Sequence, residues 1–490
     1  MKGPNEDCMA DHTQTKPAAK LTRKEIASIM AGLMVAMFPG ALDTTIIGPA
    51  MPTIGRELGD VEHLPWIVTS YLLVSTAATP LYGKLSDIHG RRIMLLWAIG
   101  LFALGSVACA LAPTMITLAL ARALQAVGGG GLISLAMTIV GDIVPPLERP
   151  KYQVYTSVMW TTSSLLGPAL GGYLADKWHW SLIFWINLPL CLVAYFMTDS
   201  KLKRLPRYER PHKLDFGGAG LLVLASVLVQ LMLSWGGTRY PWNSAPVLGV
   251  MVAALVAIAL LTWRLRTAAE PLIPLRLLSN KVVLTGGTAV GLCMGVFVGL
   301  SIYVPIYFET IMGLSATQSG LALLPLMTGS TIGAIICGKI MATMPRYKIA
   351  PMIGLIMGGL CLLPLFFQPE GMSLLTVEIL FTMVSIGVGG VFPVTTISIQ
   401  NAVPRHDLGT ATALITFMRN LGAATGVAVF GTLIIGGGSG EPTGAAAYGP
   451  DYVAQFRWIF MAGALGFFLS ASVLAAMEER PLRARGSGQI

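Results

Sequence analysis

The sequence predicts an all-α membrane protein with fourteen transmembrane helices. The hydrophobic fraction of the 490 residues is 54%, the charged fraction is 12% and the mean hydropathy is +0.69, whereas soluble domains carry about 25% charged residues. Fourteen apolar runs recur along the chain, each near the ~20 residues that cross a bilayer. Backbone groups in lipid must pair internally, and no run alternates like a barrel strand, so the runs are predicted to be helices. They are centred near residues 37, 74, 102, 127, 164, 188, 226, 255, 293, 328, 357, 385, 422 and 466.

The basic residues favour one side of this bundle. When successive connections are assigned alternately to two sides, all but six of the 33 Lys and Arg lie on the amino-terminal side. Cytoplasmic loops attract Lys and Arg, so both termini are predicted to be cytoplasmic. The net charge of +9 is thus a topology signal and does not indicate nucleic-acid binding. The exceptions are Arg56, Lys177, Arg239 and Arg457 on the opposite side, with Arg122 and Arg419 inside spans.

The chain lacks the motifs of enzymes and metal sites. Its six cysteines show no paired spacing, so neither a disulfide framework nor a metal site is expected. The stretch Gly333–Lys339 resembles the start of a phosphate-binding loop, but Ile340 occupies the position that requires Ser or Thr. We therefore expect no catalysis, no cofactor and no bound metal.

Asp43 is an acid inside the first predicted span. An ionised carboxylate in hydrocarbon costs roughly 2.5–3.5 kcal/mol on insertion scales, so such residues are rare and usually functional. Arg122, in the fourth span, has a similar predicted depth, about 10–12 Å below the outer edge at 1.5 Å per residue. A cation beside a buried acid stabilises the ionised form, and protonation weakens the attraction. The pair therefore indicates proton coupling, with a static ion pair as the alternative.

Three further charged residues are secondary candidates for coupling or for the substrate cavity. Glu378 lies five residues into the twelfth span and either lines the interior or reaches the interface. Glu309 ends the ninth span and faces either the outer solvent or the cavity. Arg419 lies in the middle of the thirteenth span and must face protein or water. It either binds an anionic substrate or balances Glu378.

A cytoplasmic loop occurs twice. The stretch Gly83–Arg92 begins with Gly-Lys and has an Arg eight residues after that Gly, and Gly338–Arg346 shows the same pattern. In the second copy Ala342 stands where the first copy has Asp87. A repeated loop predicts two related halves, as in transporters built from parallel repeats. The predicted organisation is a cytoplasmic tail (1–25), an amino-terminal six-helix half (26–200), a basic linker with two inserted helices (201–275), a carboxy-terminal six-helix half (276–478) and a second cytoplasmic tail (479–490).

The first copy of this loop is a candidate gate. Asp87 and Arg91 are four residues apart near a helix end, and Asp142 falls at the cytoplasmic end of the fourth span. An Asp87–Arg91–Asp142 cluster is predicted to latch the cytoplasmic side in the outward-facing state. Asp87 also suits a neighbouring helix N-terminus, where negative charge is favoured; a solvated loop is the alternative. Gly83, Gly90 and Arg92 complete the predicted gating loop.

The fifth span carries the stretch Gly167–Gly172. Gly167 and Gly171 share one helix face, where small residues let two backbones approach closely. Pro168 removes a helix donor and favours a bend, and Gly172 extends the small-residue stretch. Such a helix suits halves that rock against each other, although an ordinary helix contact is the alternative.

These motifs resemble the major facilitator superfamily over about residues 25–480. The loop Gly83–Arg92 resembles its signature between spans two and three. Arg122, followed by Gln125 and Gly128–Gly131, resembles its span-4 arginine motif. The stretch Gly167–Gly172 resembles the motif associated with antiporters. Leu42–Ile46 resembles the span-1 motif of the fourteen-span drug:proton antiporters. Gly48, where that family often has Asn, and Glu309, where a neutral residue is expected, depart from the pattern.

The resemblance implies a major-facilitator-type bundle of six, two and six helices that works as a proton antiporter. Its expected activity is multidrug efflux, the export of amphipathic organic compounds and antibiotics across a bacterial plasma membrane. Its expected partners are a small amphipathic substrate, protons and membrane lipids, with no nucleic acid, and we expect it to function as a monomer. A dedicated metabolite or siderophore exporter, an uptake symporter, and an uncoupled scramblase or receptor are the alternatives.

Overall fold

The computed structural model describes residues 23–481 except 60–62, 65, 204–214, 238, 269–270, 315, 345 and 436–451. Within these residues the regular structure is helical and no strand forms; an isolated bridge joins Gly236 to Tyr240. Nearly all of both predicted tails and most of the basic linker loop lie outside the described residues.

The first nine helices run from the described start of the chain to the end of the predicted insert. They are α1 (Arg23–Leu58), α2 (Trp66–His89), α3 (Arg91–Ala110), α4 (Met115–Ile143), α5 (Arg149–Lys177), α6 (Leu182–Trp185), α7 (Asn187–Leu202), α8 (Phe216–Trp235) and α9 (Ala245–Thr267).

Nine more helices follow. They are α10 (Leu275–Leu278), α11 (Lys281–Thr310), α12 (Ala316–Ala322), α13 (Leu324–Thr343), α14 (Ile349–Phe367), α15 (Leu374–Gly389), α16 (Val391–Ala402), α17 (Leu408–Ile435) and α18 (Tyr452–Ala475), with a 3₁₀ turn at Arg405–Asp407 before α17.

Twelve helical segments of the described chain are long and apolar enough to cross a membrane. Two of the fourteen predicted spans, α2 and α5, fall short of that hydropathy although they have 24 and 29 residues. The reason is polar content: both helices bury serine, threonine or glutamine side chains against neighbouring helices. Length and composition alone therefore support twelve spans.

Several predicted spans are interrupted or extended. The sixth consists of α6 and α7, the tenth of α12 and α13, and the twelfth of α15 and α16, which meet at Gly390. The first span is longer than the ~20 residues that cross a bilayer, because α1 runs from Arg23 to Leu58. Hydropathy does not report these breaks, because each interrupted segment as a whole is still long and apolar enough to cross a membrane.

The helices pack into two groups joined by α8 and α9. In the first group α1 contacts α5 and α7, while α4 contacts α2 and α3. In the second group α11 contacts α17 and α18, and α15 contacts α13 and α14. Helix α8 packs on α9 and also touches α2 and α17, one helix from each group. Helix α8 therefore contacts both groups, and α9 packs against α8.

The two groups meet along a seam formed by α2 and α4 against α17, and by α5 against α13. The Gln400 side-chain amide donates to the Met137 carbonyl, 3.3 Å away. The hydroxyl groups of Thr161 and Thr331 are hydrogen-bonded to each other. The seam therefore extends from the middle of the helices to the end where the α2–α3 loop lies.

Candidate functional site

Asp43 is completely buried in the middle of α1, and both carboxylate oxygens have partners. Its Oδ2 is 2.6 Å from Arg122 Nη1. Its Oδ1 accepts hydrogen bonds from Gln125 Nε2 at 2.9 Å and from Asn187 Nδ2 at 3.4 Å. The acid from the first span thus meets α4 and the start of α7, and the structure brings together the two charged residues of matching predicted depth.

Arg122 is 2% exposed, and its neighbours compensate for the loss of water. Besides Asp43, it donates to Gln125 Oε1 at 2.6 Å and to the Ile67 carbonyl at 3.2 Å. The Tyr71 ring lies 4.2 Å from its guanidinium carbon, close enough for a cation–π contact. A buried ion pair persists only when further hydrogen bonds satisfy its remaining donors and acceptors, as they do here.

Three polar residues of this network were not assigned a role from the sequence. Gln125 bridges the pair, accepting from Arg122 and donating to Asp43 and to Ser106 Oγ, which is 2.9 Å away. Asn187 also lies 3.5 Å from Ser106, and its own carbonyl oxygen has no hydrogen-bond partner in the described structure. The available signal was polarity: Gln125 and Asn187 are amides within otherwise apolar segments.

The glycines of α5 position this segment of α1. A Cβ added at Gly167 would lie 2.0 Å from Thr45 Oγ1, and one added at Gly171 would lie 2.0 Å from the Ile46 carbonyl oxygen. No larger residue fits without moving α1. Thr45 also donates to the Ser163 carbonyl at 2.9 Å. The close approach of α5 thus fixes the turn of α1 that follows Asp43.

The other two residues of that motif make looser contacts. Pro168 is exposed within α5. A Cβ at Gly172 would be 3.8 Å from the nearest atom, an ordinary contact. The close helix approach therefore depends on Gly167 and Gly171.

The α2–α3 loop forms an ion-pair cluster at the seam. Arg91 Nη1 is 2.5 Å from Asp87 Oδ1, and Arg91 Nε is 2.9 Å from Asp142 Oδ2. Arg91 also donates to Ser86 Oγ at 2.6 Å. One guanidinium thus joins the ends of α2, α3 and α4. The structure brings these three charged residues into contact.

Asp87 reaches across the seam to the beginning of α17. Its carboxylate accepts hydrogen bonds from the backbone N–H of Gly409 at 3.2 Å and of Thr410 at 3.0 Å, and from the Thr410 hydroxyl at 2.9 Å. The first N–H groups of a helix lack internal partners and carry partial positive charge. A carboxylate of one helix group therefore caps a helix of the other group.

Gly83 permits this contact. A Cβ at Gly83 would lie 2.5 Å from the Ala413 Cβ and 2.8 Å from the Gly409 carbonyl oxygen. Gly90 ends the loop with φ of 89°, a conformation that favours glycine. Arg92 does not join the cluster across the seam, because it pairs with Asp199 of α7.

The secondary candidates lie apart from this network. Glu378 is partly exposed on α15, and Glu309 is exposed near the end of α11. Arg419 lies between the rings of Phe392 and Trp160, at 4.9 and 5.9 Å. Among the residues that the structure describes, Arg419 has no carboxylate within 4.0 Å, so it forms no ion pair with Glu378 in this structure. The described residues also contain no cluster of His, Cys, Asp or Glu suited to a metal ion.

The chain is similar to known proteins over most of its length. The sequence model of the Major Facilitator Superfamily matches residues 33–427. Multidrug resistance protein 3 of Bacillus subtilis is 34% identical over 410 residues, which are 83% of this chain and 79% of that protein. An uncharacterized MFS-type transporter of Mycobacterium tuberculosis is also 34% identical over 410 residues, but the matched part is 59% of its length.

Solved structures share the fold. A bacterial homologue of the iron transporter ferroportin, in an outward-facing state, matches with a TM-score of 0.66 at 13% identity, covering 94% of this chain and 100% of that one. The human organic anion transporter MFSD10 matches with the same TM-score at 16% identity, covering 91% and 99%. The resemblance predicted from the motifs is confirmed: this multi-pass membrane protein belongs to the Major Facilitator Superfamily of transporters.

Proposed function

We propose that the chain is a proton-coupled antiporter that exports amphipathic organic compounds, including drugs, by alternating access. One observation carries the proposal: Asp43 is fully buried inside the apolar span α1, 2.6 Å from Arg122 and within a polar network. A carboxylate at such a position is costly, and such residues commonly mark proton relays. The names of relatives such as Multidrug resistance protein 3 support the substrate class.

The coupling step follows from the contacts of Asp43. A proton on Asp43 removes the charge that Arg122 neutralises, so the attraction between α1 and α4 weakens. Arg122 keeps Gln125, the Ile67 carbonyl and the Tyr71 ring as partners while the acid is neutral. Gln125 and Asn187 then act as hydrogen-bonding residues that position the acid. Binding of substrate and of proton would exclude each other through this change in helix packing.

The topology proposed for this cycle has fourteen spans in groups of six, two and six. Helices α2 and α5 are long enough to cross at 1.5 Å per residue, and they bury their polar side chains against protein. The distribution of Lys and Arg supports cytoplasmic termini. The domain organisation is two six-helix halves, 26–200 and 276–478, joined by the linker and insert of residues 201–275.

The gate in this proposal is the contact of Asp87 with α17. On this topology the contact lies on the cytoplasmic side, so its formation corresponds to the outward-facing state. Opening that side breaks the hydrogen bonds to Gly409 and Thr410 and exposes Asp87 to water. The α5 glycines preserve the packing around Asp43 while the halves rock.

Two other classes of function are alternatives to this proposal, and each predicts a different result in transport experiments. A dedicated metabolite or siderophore exporter, or an uptake symporter, would also need Asp43 but would differ in substrate range or direction. A scramblase or receptor would need neither Asp43 nor a gradient. The buried ion pair favours coupled transport.

The test is proton release by the purified chain in vesicles, against a panel of cationic, neutral and anionic amphipathic compounds. Antiport predicts substrate-induced proton release in wild type and none in Asp43→Asn. Transport that persists without a gradient and without Asp43 would exclude the proposal. Crosslinking in the same vesicles checks the expectation that the chain functions as a monomer.

A further inference from the structure

Arg419 is a cation in the middle of α17 that has no counter-ion among the described residues. It lies eleven residues after Leu408, which is about 16 Å along the helix at 1.5 Å per residue. Its only hydrogen bonds in the described structure run from Nε and Nη2 to Asn420 Oδ1, both at 3.4 Å. A guanidinium has five donors. Most of its hydrogen-bonding capacity is therefore unused.

The surroundings of Arg419 are aromatic. The Phe392 ring of α16 is 4.9 Å from the guanidinium carbon, and the Trp160 ring of α5 is 5.9 Å away. All three residues are partly exposed. Cation–π contacts favour the charge but do not neutralise it. Arg122 differs, since its charge is balanced by Asp43.

Arg419 also lies at the seam between the halves. Arg419 and Phe392 belong to the second helix group, whereas Trp160 belongs to the first. The next residue of α5, Thr161, is hydrogen-bonded across the seam to Thr331 of α13. A molecule held between Trp160 and Arg419 would touch both halves.

We propose that Arg419, Trp160 and Phe392 form a substrate subsite for organic anions that carry an aromatic ring, such as aryl carboxylates. This inference rests on the proposed export function and specifies its substrate class. The planar guanidinium matches a carboxylate through two parallel hydrogen bonds. The two rings supply faces for the apolar part of the ligand. The anion supplies the counter-charge that Arg419 lacks among the described residues.

The experiment compares three probes with one ring system: 2-naphthoate, 2-naphthylmethylammonium and 2-naphthalenemethanol. Equilibrium binding to the purified full chain is measured for wild type, Arg419→Gln and Arg419→Lys. The control is Arg457→Gln, which removes an exposed arginine of α18. We expect Arg419→Gln to weaken naphthoate binding about tenfold or more, as for loss of a charge-assisted pair, without weakening the other two probes. Arg419→Lys should fall between, because it keeps the charge without the planar fork.

Binding of the cationic and neutral probes shows whether each variant is folded. Unchanged naphthoate affinity in Arg419→Gln overturns the subsite, as does equal weakening of all three probes. Trp160→Ala should weaken naphthoate and naphthalenemethanol alike, because both lose a ring face. A naphthoate affinity that is unchanged in Trp160→Ala would also contradict the subsite.

The failure of this inference can be separated from failure of the export function. In Asp43→Asn the preference for naphthoate over the cationic and neutral probes should still depend on Arg419, because the subsite lies on other helices, although proton-driven transport is lost. Arg419-dependent binding without proton coupling would refute the export mechanism alone. If the cationic probe shows proton-coupled transport and the affinity for naphthoate is the same in wild type and Arg419→Gln, the subsite alone would be refuted.

Discussion

The two copies of the Gly-Lys loop join the halves of the transporter in different ways. In the first copy, Gly83 packs directly on the start of α17, and Asp87 caps that helix. In the second copy, Gly338 faces the start of α5, where an added Cβ would lie 3.2 Å from the Pro150 carbonyl oxygen. Ala342 takes the place of the acid. Both copies use a glycine at the seam, but only the first adds charge.

This difference shows that two loops of similar sequence can make different contacts between the helix groups. The packing contact recurs on both sides of the seam, α2 on α17 and α13 on α5. Among the described residues the first loop places a carboxylate across the seam, and Ala342 stands at the matching position of the second loop. The side with Asp87 can therefore respond to the charge of an acid, whereas the other side is a packing contact. The acid network of Asp43 also lies in the first half. We infer that coupling and gating belong to the first helix group.

The largest expected effect is that of Asp43→Asn, which should reduce gradient-driven export to background. Surface level and folding should persist, because asparagine mimics the protonated acid that the cycle itself requires. Export by vesicles with an imposed proton gradient measures it. The matched control is Glu309→Gln, an exposed acid of the second half, which should transport normally. An Asn variant that pumps like wild type would move the coupling site to another acid, with Glu378 the next candidate.

The second prediction concerns Arg122. In Arg122→Ala the midpoint of substrate-induced proton release should move to higher pH, because the ionised Asp43 loses the cation that stabilises it. Arg122→Lys should give an intermediate midpoint. Titration of proton release in the three proteins measures it. An unchanged midpoint in Arg122→Ala would show that the ion pair is only structural.

Most of the charged residues discussed above can be predicted from the sequence, because a charge inside a membrane span is costly and therefore stands out. Asp43 and Arg122 could be matched by depth alone, since straight helices convert residue number into distance. Asp87, Arg91 and Asp142 could be grouped because each falls near one end of its helix. The family resemblance then supported the same residues.

The rest depends on contacts between distant parts of the chain. Gln125 and Asn187 are uncharged, so hydropathy does not single them out, and their role depends on the way α4 and α7 face α1. Trp160 lies far from Arg419 in sequence, and they meet only because the halves pack. The hydropathy pattern does not reveal the break at Gly390 or the full length of α1, because the residues on both sides of the break and of the expected helix end are apolar or helix-forming.

A smaller effect is expected from Asp87→Asn, which should slow turnover about tenfold. Hydrogen bonds to a charged group contribute about 1.5–3 kcal/mol, and asparagine removes the charge from the cap of α17. Substrate affinity should change by less than about twofold, because Asp87 lies about 30 Å along α2 from Ile67, whose carbonyl contacts Arg122 of the buried network. Single-turnover export and equilibrium binding measure the two quantities. Asp199→Asn, which breaks the pair with Arg92 within the first half, is the control. A large loss of binding with normal turnover would contradict the gate.

The smallest effect tests the comparison of the two loops directly, with Gly83→Ala and Gly338→Ala. The added methyl at Gly83 would meet the Gly409 carbonyl oxygen at 2.8 Å, and backbone cannot move aside without shifting α17. At Gly338 the nearest atom is 3.2 Å away, so the start of α5 needs to yield only slightly. Overpacking costs about 1–3 kcal/mol. Turnover in Gly83→Ala should therefore fall several-fold while Gly338→Ala stays near wild type, and equal effects would mean that both seams move alike.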